Sequence, residues 1–365
     1  MAFYNYILLA ISFLLIGFLI IASRRRLIKK RWLKRTVNVL ATIAIVLMIC
    51  AAALFPNLKS IPTTGEYAYT SCVLELTDPS RNEAYKTDGS QRKLSVLVYY
   101  PHESKIPDNA CPLIVFSHGG ISTKTSNLSL YQELASHGYV VVSIDHTYHA
   151  LFTEIDGVRI PIDSGYMKEL SEEDSHSDIQ NSFSRFQKWM KLRTDDIRFV
   201  IDTFIDRSIN ESSSFYRLID AGRIGVAGHS LGGAAALGVA RQRDDVQAVL
   251  ALESPYLYDI TGVDGQEFTW NTEPYQCAVM NIYSDSGYPL IENDNKYVQN
   301  KNHLINNENI LYEHIAGSNH YTLTDLVRTS PILCVLLGGG YEKSGYDTLT
   351  LINQKSLAFF DEHLR

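Results

Sequence analysis

The segment Gly228-His229-Ser230-Leu231-Gly232 constrains this 365-residue chain more than any other. It follows the apolar run Ile224-Gly225-Val226-Ala227 and precedes the small residues Gly233, Ala234, Ala235 and Ala236, so a strand turns sharply into a helix at Ser230. In that setting the pattern G-x-S-x-G holds a serine at a strained backbone angle. Glycine is needed on either side, because a side chain two positions away would strike the neighbouring strand or helix. A hydroxyl presented this way is a candidate nucleophile. It needs a base to take its proton and fixed donors to hold the negative oxygen that its attack creates.

The N–H of Leu231, at the helix start, is the first expected donor. An earlier apolar strand ends in Val115-Phe116-Ser117-His118-Gly119-Gly120, and the N–H of Gly120 is the second. The base belongs after the last strand, where Gly317-Ser318-Asn319-His320 follows a strand ending near His314, so His320 is expected to fill that role. His314 lies inside the strand's own alternation and reads as a packed or edge histidine. His118 and His229 flank glycine motifs and read as loop-orienting groups, and no spacing recommends the remaining histidines. The acid that orients the imidazole should close a strand between Ser230 and His320. Glu253 ends Val249-Leu250-Ala251-Leu252, and Asp285 ends Ile282-Tyr283-Ser284. A glutamate closing a fully apolar strand is costly without a buried partner, which favours Glu253 and keeps Asp285 as the alternative.

Around this segment short β-rich runs alternate with amphipathic stretches, the pattern of an α/β protein whose mostly parallel sheet is flanked by helices. Strands are expected at 94–100, 113–116, 140–144, 224–227, 248–252, 278–283 and 310–314, with helices near 129–136, 194–205, 232–241 and 348–363. The stretch 146–191 breaks the rhythm, being long, acidic at Glu172-Glu173-Asp174 and interrupted by Gly157, Pro161 and Gly165. It reads either as a cap or lid over the C-terminal edge of the sheet or as a solvated surface loop.

The first 55 residues follow different rules. Tyr4 to Ala22 and Val37 to Phe55 are apolar runs without a charge, each about 19 residues or roughly 28 Å as helix, enough to cross a bilayer core. Between them stand Arg24, Arg25, Arg26, Lys29, Lys30, Arg31, Lys34 and Arg35, which the positive-inside rule puts in the cytoplasm. Residues 1–55 are therefore expected to form a transmembrane hairpin, 56–65 a tether, and 66–365 one catalytic domain on the extracytoplasmic side. In a second reading the later run, followed by Ala51-Ala52-Ala53, acts as a cleaved signal.

No acidic residue precedes Glu66, so nine of the 33 basic side chains but none of the 40 acidic ones lie in the N-terminal part. The strongly acidic remainder repels phosphate backbones, which argues against a nucleic-acid partner. The cysteines outside the apolar runs, Cys72, Cys111, Cys277 and Cys334, have no zinc-site spacing; one or two disulfides fit an oxidising compartment. Asn127-Leu128-Ser129 and Asn210-Glu211-Ser212 match glycosylation sequons.

Several blocks then carry a family resemblance: Pro62-Thr63-Thr64-Gly65, Thr77-Asp78-Pro79-Ser80-Arg81, Tyr99-Tyr100-Pro101, Pro112 to Gly119, Leu134-Ala135-Ser136-His137-Gly138-Tyr139, Gly228-His229-Ser230 and Gly317 to His320. Over roughly residues 62 to 325 the chain resembles the platelet-activating-factor acetylhydrolases, calcium-independent serine phospholipases of the α/β-hydrolase fold. The resemblance implies nucleophile Ser230, base His320, oxyanion amides on Gly120 and Leu231, and an acid at Glu253, where the family has aspartate. It further implies hydrolysis of carboxylic esters, among them short or oxidised acyl groups of phospholipids, through an acyl-enzyme and without metal or organic cofactor. Two rivals remain: a lipase- or cutinase-like hydrolase of acylglycerols or polyesters, and a catalytically silent membrane-bound binding domain.

Overall fold

The computed structural model of the chain describes residues 30–56, 58–102, 106–211, 215–306 and 310–365, together with Ile11, Ser12, Leu14, Ile16, Gly17 and Ile21. The chain divides into two compact units, one of Met1–Ser60 with Leu326–Gly340 and one of Ile61–Asp325 with Tyr341–Arg365.

In the first unit one helix, Arg31–Leu54, is the single element among the described residues that is long and apolar enough to cross a membrane, and very little of it is buried. The run from Tyr4 to Ala22 lies mostly outside the described residues. Of its described members, Ser12 is buried and its hydroxyl donates to Met48 Sδ at 3.5 Å. The short helix Pro331–Gly338 packs on Arg31–Leu54 and leaves Ile332, Val335, Leu336 and Leu337 exposed.

Among its described residues the second unit has twelve strands: β1 (Tyr69–Asn82), β2 (Gln91–Pro101), β3 (Cys111–Ser117), β4 (Val140–Asp145), β5 (Phe152–Ile155), β6 (Val158–Pro161), β7 (Ile219–His229), β8 (Val246–Leu252), β9 (Ile260–Asp264), β10 (Glu267–Trp270), β11 (Ala278–Ser284) and β12 (Ile310–Ile315). Eight of them form one sheet in the order β1-β2-β4-β3-β7-β8-β11-β12. β1 and β2 run antiparallel to their neighbours, and from β4 onward every pairing is parallel. Every residue of β3 and β4 is buried. Because successive side chains of a strand point to opposite faces, both faces of the sheet are therefore covered. The helices Ile179–Asn210 and Leu231–Ala240 pack together, as do Leu128–Ser136 and Gly345–Leu364.

All seven expected strands are present, a residue or more longer at one or both ends. The sequence reading missed β1, which alternates between exposed and half-buried positions, as an edge strand wetted on one side does. It also missed the hairpins β5–β6 and β9–β10, whose four- and five-residue strands carry too short a pattern to read. The expected helix at 194–205 is the middle of a helix running Ile179–Asn210, so the stretch 146–191 holds the β5–β6 hairpin, the helix Ser164–Ser171 and the first turns of the long helix.

Two further expectations change. Residues 61–65 of the expected 56–65 tether belong to the second unit: Thr64 N–H donates to Glu133 Oε2 at 2.9 Å, and a Cβ on Gly65 would lie 2.1 Å from Ser136 O. Glu133 is buried and needs donors, which holds this segment down. The sequon asparagine Asn127 is buried with its amide donating to Leu323 O at 2.8 Å, so no glycan fits there. No disulfide forms among the described residues.

The Thr77–Arg81 block has a structural job. Asp78 accepts from Ser80 N–H and from Arg81, and Arg81 reaches on to Asp196 Oδ1 at 2.9 Å. Asp196 is wholly buried on the long helix, where it also takes Arg92 Nη2 at 2.6 Å and His146 Nδ1 at 2.9 Å, while Arg92 contacts Glu83. Burial opposes its charge, but the Arg92 guanidinium and the His146 bond outweigh that and hold the carboxyl far below the usual range. Removing one partner of such a network strands the others in low dielectric. Asp196→Ala is accordingly expected to destabilise the fold by roughly 3–5 kcal/mol in urea unfolding of the detergent-solubilised chain. A loss near zero would mean that Arg81 and Arg92 find other partners.

Candidate active site

The site begins at the end of β7. Ser230 has φ 53° and ψ −124°, the left-handed region that side chains avoid, and it directly precedes the helix Leu231–Ala240. Its N–H donates to Leu252 O at 2.8 Å, which ties the turn to β8. A Cβ on Gly228 would lie 2.4 Å from Gly232 C, and one on Gly232 would lie 2.1 Å from Ser117 O. Both glycines are thus required by close backbone approach, and the second brings the loop after β3 against the start of the helix.

Glu253 follows β8 and also has a positive φ, 53°. Its buried carboxylate accepts from His320 Nδ1 at 2.6 Å, from Ser284 N–H at 2.8 Å and from the Ser284 hydroxyl. Burial would raise its pKa, but the His320 bond, the charge of that ring and the Ser284 donors together hold it below the ordinary carboxylate value. Every oxygen of a buried carboxylate that is paired in this way is satisfied.

His320 opens a single turn whose N-cap is Asn319: the Asn319 side chain accepts from Tyr321 and Thr322 N–H, and Thr322 Oγ1 accepts from Asn319 N–H. The His320 N–H donates to Ser286 Oγ at 2.8 Å, and about a quarter of its side chain is exposed. The ring of His229, the residue before Ser230, lies 4.4 Å from that of His320, and His229 Nε2–H donates to His320 O at 3.1 Å. Burial, followed by the nearby His320 charge, pushes His229 down to about 3, so it stays neutral.

Asp285, the alternative acid, lies elsewhere. It accepts from His314 Nε2 at 2.7 Å and from Gly317 N–H at 2.7 Å, and the Tyr288 ring stacks on His314 at 4.5 Å. The geometry therefore joins Glu253 to His320 and Asp285 to His314. Of the two expected donors, Leu231 is the first helical residue after Ser230, and Gly120 sits beside Leu170 and Tyr166, whose hydroxyl donates to Gly120 O at 3.2 Å.

The residues that hold Glu253 and His320 escaped the sequence reading. Ser284 donates to the Glu253 carboxylate, Ser286 Oγ accepts the His320 backbone N–H, and a Cβ on Gly287 would lie 2.2 Å from Glu253 Cδ. The run of small residues after β11 was the available signal, but nothing in it says which neighbour needs the space.

The family described as platelet-activating factor acetylhydrolase, isoform II, matches residues 89–159. The chain is 29% identical over 158 residues to a platelet-activating factor acetylhydrolase of Canis lupus familiaris, covering 39% of this chain and 35% of that protein. It is 28% identical over 156 residues to cutinase 2 of Thermobifida cellulosilytica, covering 42% of each. The chain thus spans less than half the length of these curated relatives. A ferulic acid esterase from Streptomyces cinnamoneus superposes with a TM-score of 0.60 at 23% identity, over 85% of this chain and 94% of that one, a likeness of fold. The fold is α/β-hydrolase-like with a mostly parallel central sheet, and the resemblance to the acetylhydrolase family is borne out.

The fit around Glu253 is tight enough to test directly. Gly287→Ala adds a methyl where the carboxylate stands, so it is expected to cost roughly 1–3 kcal/mol of stability in urea unfolding, whereas Ser286→Ala should cost less. Equal effects would indicate that the loop yields to the methyl.

Proposed function

We propose that the chain is a membrane-anchored serine esterase in which Ser230 is the nucleophile, His320 the general base and Glu253 the acid that orients it. The observation that carries this reading is the 2.6 Å bond between His320 Nδ1 and a buried Glu253 carboxylate, with the His320 ring 4.4 Å from that of His229, the residue before the strained Ser230. With Nδ1–H committed to Glu253, the other ring nitrogen is left as an acceptor. It takes the Ser230 proton as Oγ adds to an ester carbonyl. The C=O π pair moves to oxygen, held by the N–H groups of Leu231 and Gly120. Collapse expels the alcohol, which takes the proton from the imidazolium, and water activated by the same ring releases the acid.

Short or oxidised acyl groups of phospholipids are the substrates that the acetylhydrolase similarity favours. A cutinase-like activity on acylglycerols or polyesters is the second reading, favoured by the similarity to cutinase 2 over 156 residues. The N-terminal part forms the membrane anchor, with the two apolar runs as spans, the basic segment between them cytoplasmic and the catalytic unit on the other side. The apolar helix Arg31–Leu54, the Ser12–Met48 contact and the exposed apolar residues of Pro331–Gly338 support it. The stretch 146–191 acts as a cap, a role supported by Tyr166 and Leu170 beside Gly120.

Two measurements test the assignment. Ser230→Ala should abolish p-nitrophenyl butyrate hydrolysis and fluorophosphonate labelling while the chain stays folded; residual turnover at the wild-type level would end the reading. Glu253→Gln should slow turnover by roughly 100- to 10,000-fold, whereas Asp285→Asn should stay within about threefold. The reverse order would transfer the acid's role to Asp285.

A further inference from the structure

The wholly buried Arg193 lies on the long helix Ile179–Asn210, far in sequence from every motif of the site. Its Nη1 donates to His118 O at 2.6 Å and its Nη2 to Gly119 O at 3.2 Å, with Tyr166 Oη 3.4 Å away. Its Nε is buried without a hydrogen-bond partner, and among the described residues no carboxylate comes within 4.0 Å of the guanidinium. Asp196, one turn along the same helix, is occupied by Arg92, Arg81 and His146. A cation buried without a counter-charge is expensive, so its position calls for a reason.

The carbonyls that it holds supply one. A trans peptide is planar, and its C=O and N–H point in opposite directions. The Gly119 carbonyl and the Gly120 N–H belong to the same peptide plane, so fixing that oxygen aims that hydrogen. Arg193 and the His118 ring, whose Nδ1 lies 2.6 Å from Gly119 O, hold the oxygen from one side. Tyr166 holds the next carbonyl, that of Gly120. The two glycines have no side chains to resist rotation, so without these bonds the loop has many peptide orientations open to it.

Resting on the esterase reading above, we propose that Arg193 is a positioning residue of the oxyanion site, aiming the Gly120 N–H through its grip on the Gly119 and His118 carbonyls. The uncompensated cation also favours the negative oxygen that forms in front of the loop, where low dielectric magnifies the attraction. It makes and breaks no bond itself. The buried histidines behind the loop do not compete as cations: burial first and the Arg193 charge next keep His118 and His149 well below the ordinary histidine value, and His146 at about 4.

The test uses the full chain in detergent, as wild type, Ser230→Ala, Arg193→Gln and Arg193→Lys. Five quantities are read: kcat and KM on p-nitrophenyl butyrate, inhibition by an alkyl trifluoromethyl ketone, which forms a tetrahedral oxyanion adduct, hydrogen exchange of the peptide covering 117–120, and thermal unfolding. Arg193→Gln should lower kcat by about 100-fold with KM within about threefold, weaken the ketone in proportion, and speed exchange in the loop. Arg193→Lys keeps the charge but not the two-pronged geometry, and should recover part of kcat. A purely structural role predicts instead that lost activity tracks lost folded protein, with ketone affinity per folded molecule and loop exchange unchanged; that outcome overturns the proposal. Undiminished turnover in Arg193→Gln, with wild type active and Ser230→Ala dead, overturns it alone. A wild-type chain that neither hydrolyses the ester nor binds the ketone overturns the esterase reading and this proposal with it.

Discussion

The backbone turn at Ser230 is the constraint from which the rest of the site follows. A residue with a side chain is held at φ 53°, at a cost of about 1–3 kcal/mol. The turn persists because what surrounds it is buried and hydrogen-bonded. β7 from Ile224 to His229 and nearly all of the helix Leu231–Ala240 are out of contact with water, and Leu252 O accepts the Ser230 N–H. The same closeness brings Gly232 against Ser117 O, so the serine turn and the glycine loop pack as one assembly, not as two loops that happen to meet.

Buried charge in the second unit is handled in two ways. Around Arg92, Asp196 and Glu83 each charge faces an opposite one, and the network ties β1 and β2 to the long helix. Around Glu253, a carboxylate is compensated by His320 and by the Ser284 donors. Arg193 departs from both patterns, because its donors go to uncharged oxygens. Proteins concentrate such departures where negative charge develops transiently, and the loop that Arg193 supports is where the esterase chemistry would create it.

The legibility of the chain in sequence follows its local physics. β3, β4 and β8 carry apolar runs at 113–116, 140–142 and 248–252 because those stretches are buried, and they are legible for that reason. β1 is long but wet on one side and breaks register between Asp78 and Asn82, so its pattern carries less information. The turns at Ser230 and His320 are legible because their surroundings are sequential: a strand, a glycine turn and a helix for one, a capped turn after the last strand for the other. Glu253 was readable as a costly charge at the end of an apolar strand, although its pairing with His320, and that of Asp285 with His314, depends on how β8, β11 and β12 align.

By itself the sequence determined the α/β alternation, the strained serine turn, an apolar N-terminal helix and a histidine after the last strand. These are properties of neighbouring residues, set by backbone sterics, side-chain periodicity and hydropathy. The tertiary structure alone decided which carboxylate meets which imidazole, that Ser284, Ser286 and Gly287 buttress the pair, and that Arg193 reaches across to grip His118 and Gly119. Those contacts join residues tens of positions apart, and a directional hydrogen bond leaves no periodic trace along the chain from which it could have been read.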